Sequence, residues 1–292
     1  MIELYEDNFT LYKPDKQFYL RSLEFAKTLE RNEQNSILIF HCFWRVPRDF
    51  GRKQYAVLVS ILVHHRLENL QIHLWSNIDL SNYEILKDIK KYIIFHIWDF
   101  NLEKQNTILN NLDKEILNDD LCYLEGDLFR LLVLHKYGGI YIDMDVLVLR
   151  DMSPLHNLEF VYQWGTSIVV NNNTAMNGAI MKLNKGSAVS SEFLELIMKI
   201  QPSKDTPCWG SYLYSKLEKN NIVVLPCIWF DSEWGFPDTI NEPFKKIDTI
   251  NMFDGAFTWH WHNRWDDVIE IGSKFQILEE KHLTMFHKLI KE

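Results

Sequence analysis

Residues 127–145 read DLFRLLVLHKYGGIYIDMD: a helical pattern, a Gly-Gly stop and a short apolar strand that ends in two acids. Asp127 and Arg130 are three apart, on one face of a helix. The helical pattern stops at Gly138-Gly139, where a helix C-terminus takes a left-handed residue. The apolar Ile140–Ile142 follows as a short strand and gives way to Asp143-Met144-Asp145. In doubly wound sheets, ligands lie at the carboxyl ends of the strands. Two carboxylates flanking one residue at such an end form a dense negative site, suited to holding a divalent cation against a diphosphate. The run therefore points to an enzyme that uses a nucleotide-activated substrate.

Working outward, Asp119 and Asp120 are placed to cap this helix, and Leu124, Leu128, Leu131 and Leu132 supply its apolar stripe. Upstream, residues 15–31 carry Phe18, Leu23, Phe25 and Leu29 at helical spacing. Ser36–Trp44 (SILIFHCFW) is a buried strand, and Pro47 and Gly51 then break the chain. Gln54–Arg66 reads as a helix, Leu70–Trp75 as a strand, Tyr83–Ile89 as a helix and Tyr92–Ile97 as a third strand. This alternation predicts an α/β fold: a mainly parallel sheet flanked by helices. Val146–Leu149 is a further apolar segment. Beyond Pro154 the pattern mixes strands at Ile168–Val170, Ala179–Leu183 and Ile222–Leu225 with helices at Ser190–Ile200, Tyr212–Leu217 and His282–Ile290. Residues 259–265, WHWHNRW, form a dense aromatic and imidazole cluster. Neither a repeat nor a linker divides the chain. One domain over 1–292 is expected, with a helical extension at 1–35, a ligand-binding part at 36–150 and a C-terminal elaboration at 151–292.

Bulk composition narrows the classes. A chain of 292 residues with 47% apolar and 24% charged residues can bury a sizeable core. The net charge is −9, which disfavours a nucleic-acid partner. A diphosphate ligand then needs local compensation from a metal, Arg or Lys. Ten Trp among 14% aromatics is high, and such rings line base and sugar sites as well as cores. Cys42, Cys122, Cys208 and Cys227 form no CxxC pair and read as reduced, mostly buried thiols. No stretch is long and apolar enough for a transmembrane helix, and the acidic N-terminus lacks signal-peptide character. A cytoplasmic chain is the expectation.

Each candidate residue also has a plain structural reading. A bare DxD serves as a solvated turn, and Asp127/Arg130 as a surface ion pair worth about 0.2–0.5 kcal/mol. Together, one helix length apart, they instead converge on one site: Asp127 accepts from substrate hydroxyls, and Arg130 orients it or donates to substrate oxygens. His41 and Trp44 close the first strand, either as core or as a base-stacking edge. Strand alternation would put His260 and His262 on one face and Trp259 and Trp261 on the other. Two imidazoles then look into the site, and His260 is the first choice for a third metal ligand.

These residues resemble a known family. FHCFW at 40–44 is similar to the I-H-Q-x-W opening strand of glycosyltransferases with the DXD sugar-binding region, the family-32 type related to initiating mannosyltransferases, capsular sugar transferases and α1,4-galactosyl/GlcNAc transferases. IHLWSN at 72–77 resembles its second strand. GDLFRLLVLHKYGGIYIDMDV at 126–146 is close to its S-D-x-x-R-x-x-x-L-x-x-x-G-G-I-Y-x-D-x-D, with Gly126 in place of Ser. MNGAIMKLNKGS at 176–187, NIVVLPCIWF at 221–230 and TWHWHNRW at 258–265 resemble later elements, the last about one residue short. That spacing leaves the third metal ligand open among His260, His262 and Asn263.

The resemblance implies a GT-A-like (Rossmann-like) fold and a retaining, Mn²⁺- or Mg²⁺-assisted transfer of a hexose from a nucleotide-sugar to a glycan acceptor. A UDP-sugar is favoured, with GDP-mannose the alternative. Position by position, it implies Trp44 on the base with His41 beside it, and Asp127 and Arg130 on the donor sugar. Tyr141 lines the nucleotide pocket, Asp143 meets ribose and the metal, and Asp145 ligates the metal. Asn177 touches sugar or acceptor. Two other readings compete: a catalytically silent nucleotide-sugar or glycan-binding protein on the same scaffold, and a metal-dependent diphosphate hydrolase.

Overall fold

The computed structural model describes residues 16–31, 36–117, 123–164, 169–170, 173–174, 176–206, 208–217, 222–235, 242–247 and 254–291. After helix α1 (Lys16–Thr28), the first half runs β1 (Leu38–Trp44), α2 (Arg52–His64), β2 (Leu70–Ser76), β3 (Ile93–Ile97), the single turn α3 (Phe100–Glu103), α4 (Tyr123–Tyr137) and β4 (Gly139–Ile142). The second half adds β5 (Val146–Val148), β6 (Phe160–Gln163), the short pair β7 (Val169–Val170) and β8 (Asn173–Thr174), β9 (Met176–Leu183) and α5 (Ala188–Lys199). It ends with α6 (Trp209–Tyr214), β10 (Val223–Leu225), α7 (Cys227–Phe230), α8 (Ser232–Gly235), β11 (Thr258–His260) and α9 (Lys274–Leu289).

Seven strands form one sheet in the order β10-β6-β9-β4-β1-β2-β3. β9 runs antiparallel to both neighbours, and the other pairings are parallel. The expected α/β, mainly parallel sheet flanked by helices is therefore the observed one. Both faces are buried, so β1 reads as a continuous apolar run and not as an alternating one. Phe40, Cys42 and Trp44 pack with Ile72, Ile140 and Val57 of α2 in one core layer. Phe43, Trp75 and Tyr141 pack with Leu128 and Phe129 of α4 and Phe193 of α5 in the other. The helix expected within 15–31 forms at Lys16–Thr28 and is held in place: the Trp229 indole donates to Ser22 O at 2.9 Å, and Arg150 donates to Ala26 O and Leu29 O, each at 2.8 Å.

Several boundaries differ from expectation. Tyr83–Ile89 is not an α-helix. Its backbone bonds span three residues, in 3₁₀ turns at Glu84–Leu86 and Lys90–Tyr92. Only Leu86 and Ile89 are buried there, three apart, which a 3₁₀ turn satisfies and a seven-residue helix is too short to improve on. The helix expected at Tyr212–Leu217 lies at Trp209–Tyr214, and the terminal helix begins earlier, behind the Ser273 cap. Cys42 and Cys227 are buried but Cys208 is exposed. Asp119, Asp120, Cys122 and Ile168 lie outside the described residues. Among those described, no helix is long and apolar enough to cross a membrane.

Candidate active site

From β1 the chain moves outward through β2 and β3, then returns to β4 on the other side of β1. The carboxyl ends of β1 and β4 thus meet at the topological switch point, where open α/β sheets bind ligands. A cleft of about 1180 Å³ opens there. The Gly138-Gly139 turn aims β4 at it. Gly138 has φ +70 and Gly139 φ +109, and a Cβ on Gly139 would lie 2.7 Å from Ile39 O. Only glycine lets the end of α4 fold this tightly onto β1.

Asp143 and Asp145 lie in the turn from β4 to β5, closed by Val146 N donating to Asp143 O at 3.2 Å. β5 pairs with β11, with Val146 opposite His260. That ladder brings residues 145 and 260 together across the chain. His260 Nε2 is 3.2 Å from Asp145 Oδ2, which also accepts from Asn263 N at 2.7 Å. Lys53 of α2 pins the segment that follows by donating to the carbonyls of Arg264, Trp265 and Asp267 at 2.6–2.8 Å.

The strand alternation expected over residues 259–262 stops at His260, because His262 and Asn263 both have φ +56. The two imidazoles still share a side: their rings stack at 4.0 Å, and both face Asp231. His262 Nε2 is 3.0 Å from Asp231 Oδ1, and His260 Nδ1 is 3.7 Å from Asp231 Oδ2. Asp231 escaped sequence reading, although it directly follows the NIVVLPCIWF segment. Nothing local marks a lone Asp as fully buried among histidines.

On the other side of the cleft, Arg130 Nη2 is 3.3 Å from both Asp127 Oδ1 and Asp143 Oδ1, and its guanidinium lies 4.7 Å over the Tyr141 ring. The Tyr141 hydroxyl donates to Asp143 Oδ1. Trp44 lines the cleft but is only 4% exposed, packed edge-on against Phe50 and Trp265 with its indole N–H on Arg48 O. Asn177 lines the cleft too, its Oδ1 accepting from Ala179 N at 2.7 Å. Of the residues singled out from sequence, the structure gathers Trp44, Asp127, Arg130, Tyr141, Asp143, Asp145, Asn177, His260, His262 and Asn263 around one cleft. His41 is not among them. It is buried in the core, 2.9 Å from Gly138 O through Nε2, and accepts from the Trp75 indole at Nδ1. It buttresses the glycine turn as a neutral imidazole, with burial lowering its pKa to about 3.

Electrostatics separate the two acids. Burial pushes Asp143 up to about 6; Arg130 opposes the rise and Asp145 adds to it. Burial would also raise Asp145, but His260 and the Asn263 amide outweigh it and hold this carboxyl below its usual range. His260 rises to about 10: burial opposes protonation, and Asp145 and Asp231 on either side overcome that.

The donor set suits a hard or borderline divalent ion. Asp145 Oδ1 is buried without a hydrogen-bond partner, and so is His260 Nε2, which lacks hydrogen-bonding alignment with Asp145. Asp145 Oδ1 thus keeps unspent lone pairs, and the other oxygen of the same carboxylate, Oδ2, lies 3.2 Å from His260 Nε2. Asp231, His260 and His262 also present ligand atoms within 4.8 Å of each other. His260 can ligate only as neutral imidazole, so a cation there displaces its proton.

Known proteins bear on the same residues. Residues 61–162 match the family model described as glycosyltransferase sugar-binding region containing DXD motif. At4g19900, an uncharacterised protein of Arabidopsis thaliana, is 25% identical over 230 residues; the match covers 71% of this chain, which spans about a third (32%) of that protein's length. Among solved structures, the apo form of the glycosyltransferase GlyE of Streptococcus pneumoniae TIGR4 aligns at TM-score 0.52 and 11% identity, over 88% of this chain and 63% of that one. The apo structure of the bifunctional glycosyltransferase WbbM aligns at TM-score 0.55 and 12% identity, over 88% and 52%. Such identities show a shared fold. The D-x-x-R face, the Gly-Gly turn and the Asp143/Asp145 pair all fall inside residues 61–162, the segment that matches the glycosyltransferase sugar-binding region containing DXD motif, and the α/β fold around them is GT-A-like.

Proposed function

We propose that the chain transfers a hexose from a nucleoside-diphosphate donor to a hydroxyl of a glycan acceptor, with retention of anomeric configuration. The observation that carries this is the buried Asp145 at the switch-point cleft, its Oδ1 without a hydrogen-bond partner and its Oδ2 3.2 Å from His260 Nε2. Asp145, Asp143 and His260 would hold Mn²⁺ or Mg²⁺. What the cation supplies is neutralisation of the charge growing on the departing diphosphate. His260 is favoured as third ligand by the commitments of its rivals. His262 Nε2 is spent on Asp231, and Asn263 donates its backbone N–H to Asp145 while its Oδ1 accepts from the Trp265 indole.

Asp127 and Arg130 hold the donor hexose, Trp44 and Tyr141 wall the nucleotide end, and Asn177 lies where sugar and acceptor meet. UDP-hexoses and GDP-mannose are the two donor classes to compare, because Trp44, 4% exposed, presents little ring face by which to choose between their bases. The carboxylates lining the described cleft are Asp127, Asp143 and Asp145, and each is tied to a cation or an amide. Each is thus committed to a neighbour, and Asp145 in addition to the proposed cation, which favours attack from the face the diphosphate leaves. Incubation with UDP- and GDP-hexoses, Mn²⁺ and glycan acceptors should release nucleoside diphosphate faster with acceptor than without. Proton NMR of the product should give the donor's anomeric configuration. Release indifferent to every acceptor would favour a hydrolase, and an inverted product would remove same-face attack.

A further inference from the structure

Asp127 and Arg130 belong to α4, yet what aims them comes from the other half of the chain. Gly210 of α6, 83 residues downstream, donates its amide to Asp127 Oδ2 at 3.0 Å. A Cβ on Gly210 would lie 2.5 Å from the Asp127 carboxyl carbon and 2.6 Å from each of its oxygens. The carboxylate thus rests against bare backbone, and any side chain at position 210 must push it aside. One turn along α6, the Tyr214 hydroxyl accepts from Arg130 Nη1 at 3.4 Å. A Cβ on Gly178, in β9 beside Asn177, would fall 2.5 Å from that hydroxyl and 2.8 Å from Arg130 Nη1. Two glycines and one buried tyrosine therefore form a socket around the acid–guanidinium pair. α6 is anchored in turn by the Trp209 indole on Ile200 O at 3.1 Å.

We propose that Gly210 and Tyr214 are positioning residues that aim Asp127 and Arg130 at the hydroxyls of the donor hexose. Discrimination among donor sugars is then set by α6 and not by the nucleotide end of the cleft. This rests on the reading of Asp127 and Arg130 as the sugar-holding pair. A methyl at position 210 would need the carboxylate to move by about 1 Å to regain ordinary contact, and misplacement on that scale costs roughly a hundredfold in rate.

The test is isothermal titration of the full chain with UDP and GDP, each alone and as its hexose conjugates, in Mn²⁺, alongside turnover. Gly210→Ala should bind the free nucleotide within about twofold of wild type, because Asp145 and His260 are untouched. It should lose the wild-type preference among hexose conjugates and about a hundredfold in kcat/KM. Tyr214→Phe, which removes a single oxygen, should do the same about tenfold and decides the matter if Gly210→Ala does not fold. Unchanged hexose preference in the folded variants would overturn the proposal, as would equal losses for nucleotide and conjugate. A wild-type chain that binds nucleotide but shows no added affinity for any conjugate would instead overturn the reading of Asp127 and Arg130, and the role of α6 with it.

Discussion

A buried polar atom without a hydrogen-bond partner costs roughly 1–3 kcal/mol, more when charged, and Asp145 Oδ1 is such an atom. Asp145→Asn keeps the shape but removes the charge that holds His260 protonated, so it should lower the urea midpoint in metal-free buffer near neutral pH. Metal-dependent turnover should fall more than about a hundredfold, since on the proposed function a cation held there would contribute several kcal/mol. Unchanged turnover would remove the acidic pair from the mechanism. Single residues were legible to different degrees. Asp127, Arg130, Asp143 and Asp145 are readable because their spacing along one helix–turn–strand unit fixes their geometry locally. His41 is not: a central strand buries both faces, so position alone cannot separate a core histidine from a ligand-facing one. Asp231 was unreadable because its partners, His260 and His262, are about thirty residues away.

Among the elements, the unit α4–turn–β4 carries the site, and its weakest point to substitution is the turn. Gly139→Ala forces a side chain into φ +109 and against Ile39 O. It should destabilise the chain by about 1–3 kcal/mol or more and lower turnover, by moving the acidic pair. Chemical denaturation with an activity assay checks both, and full stability would contradict the close approach. Strands were easier to read than helices here. The runs at 38–44, 70–76 and 93–97 are bounded and apolar, while Tyr83–Ile89 offers helix formers whose burial follows a 3₁₀ spacing instead. The end of β11 was misread because strand alternation assumes extended backbone, and the positive φ of His262 and Asn263 breaks it. The shared side of the two imidazoles survives for a different reason, the common pull of Asp231.

For the whole molecule, buried imidazoles set the acid limit. Burial lowers His41 to about 3, His64 to about 2, and His73 and His282 to about 4, from an ordinary 6.5. The unfolded chain takes up these protons near pH 6.5 and the folded chain does not, so their stabilisation is complete above that pH and lost as pH falls towards 4. His260 has the opposite sign. Raised to about 10, it stabilises fully below about 6.5 and loses that contribution as pH climbs through 10. The metal-free chain should therefore show an unfolding midpoint that drops steadily from pH 6.5 to 4.5, and a flat profile would contradict the neutral burial of these rings. At this scale the sequence revealed the class of fold through its alternating strands and helices. It did not reveal how the C-terminal half closes over the first, because the β5–β11 ladder and the α6 socket depend on pairings between distant segments. The most direct measurement is thermal unfolding with UDP-, GDP- and dTDP-sugars, each with and without Mn²⁺. A ligand that binds only the folded chain adds about 2.7 kcal/mol at a hundredfold excess over its dissociation constant. A nucleotide-sugar at the DXD cleft predicts a higher midpoint for one nucleotide family, only with the metal, and not in Asp145→Asn. No rise for any of them in a well-folded chain, or a rise indifferent to Mn²⁺, would contradict it.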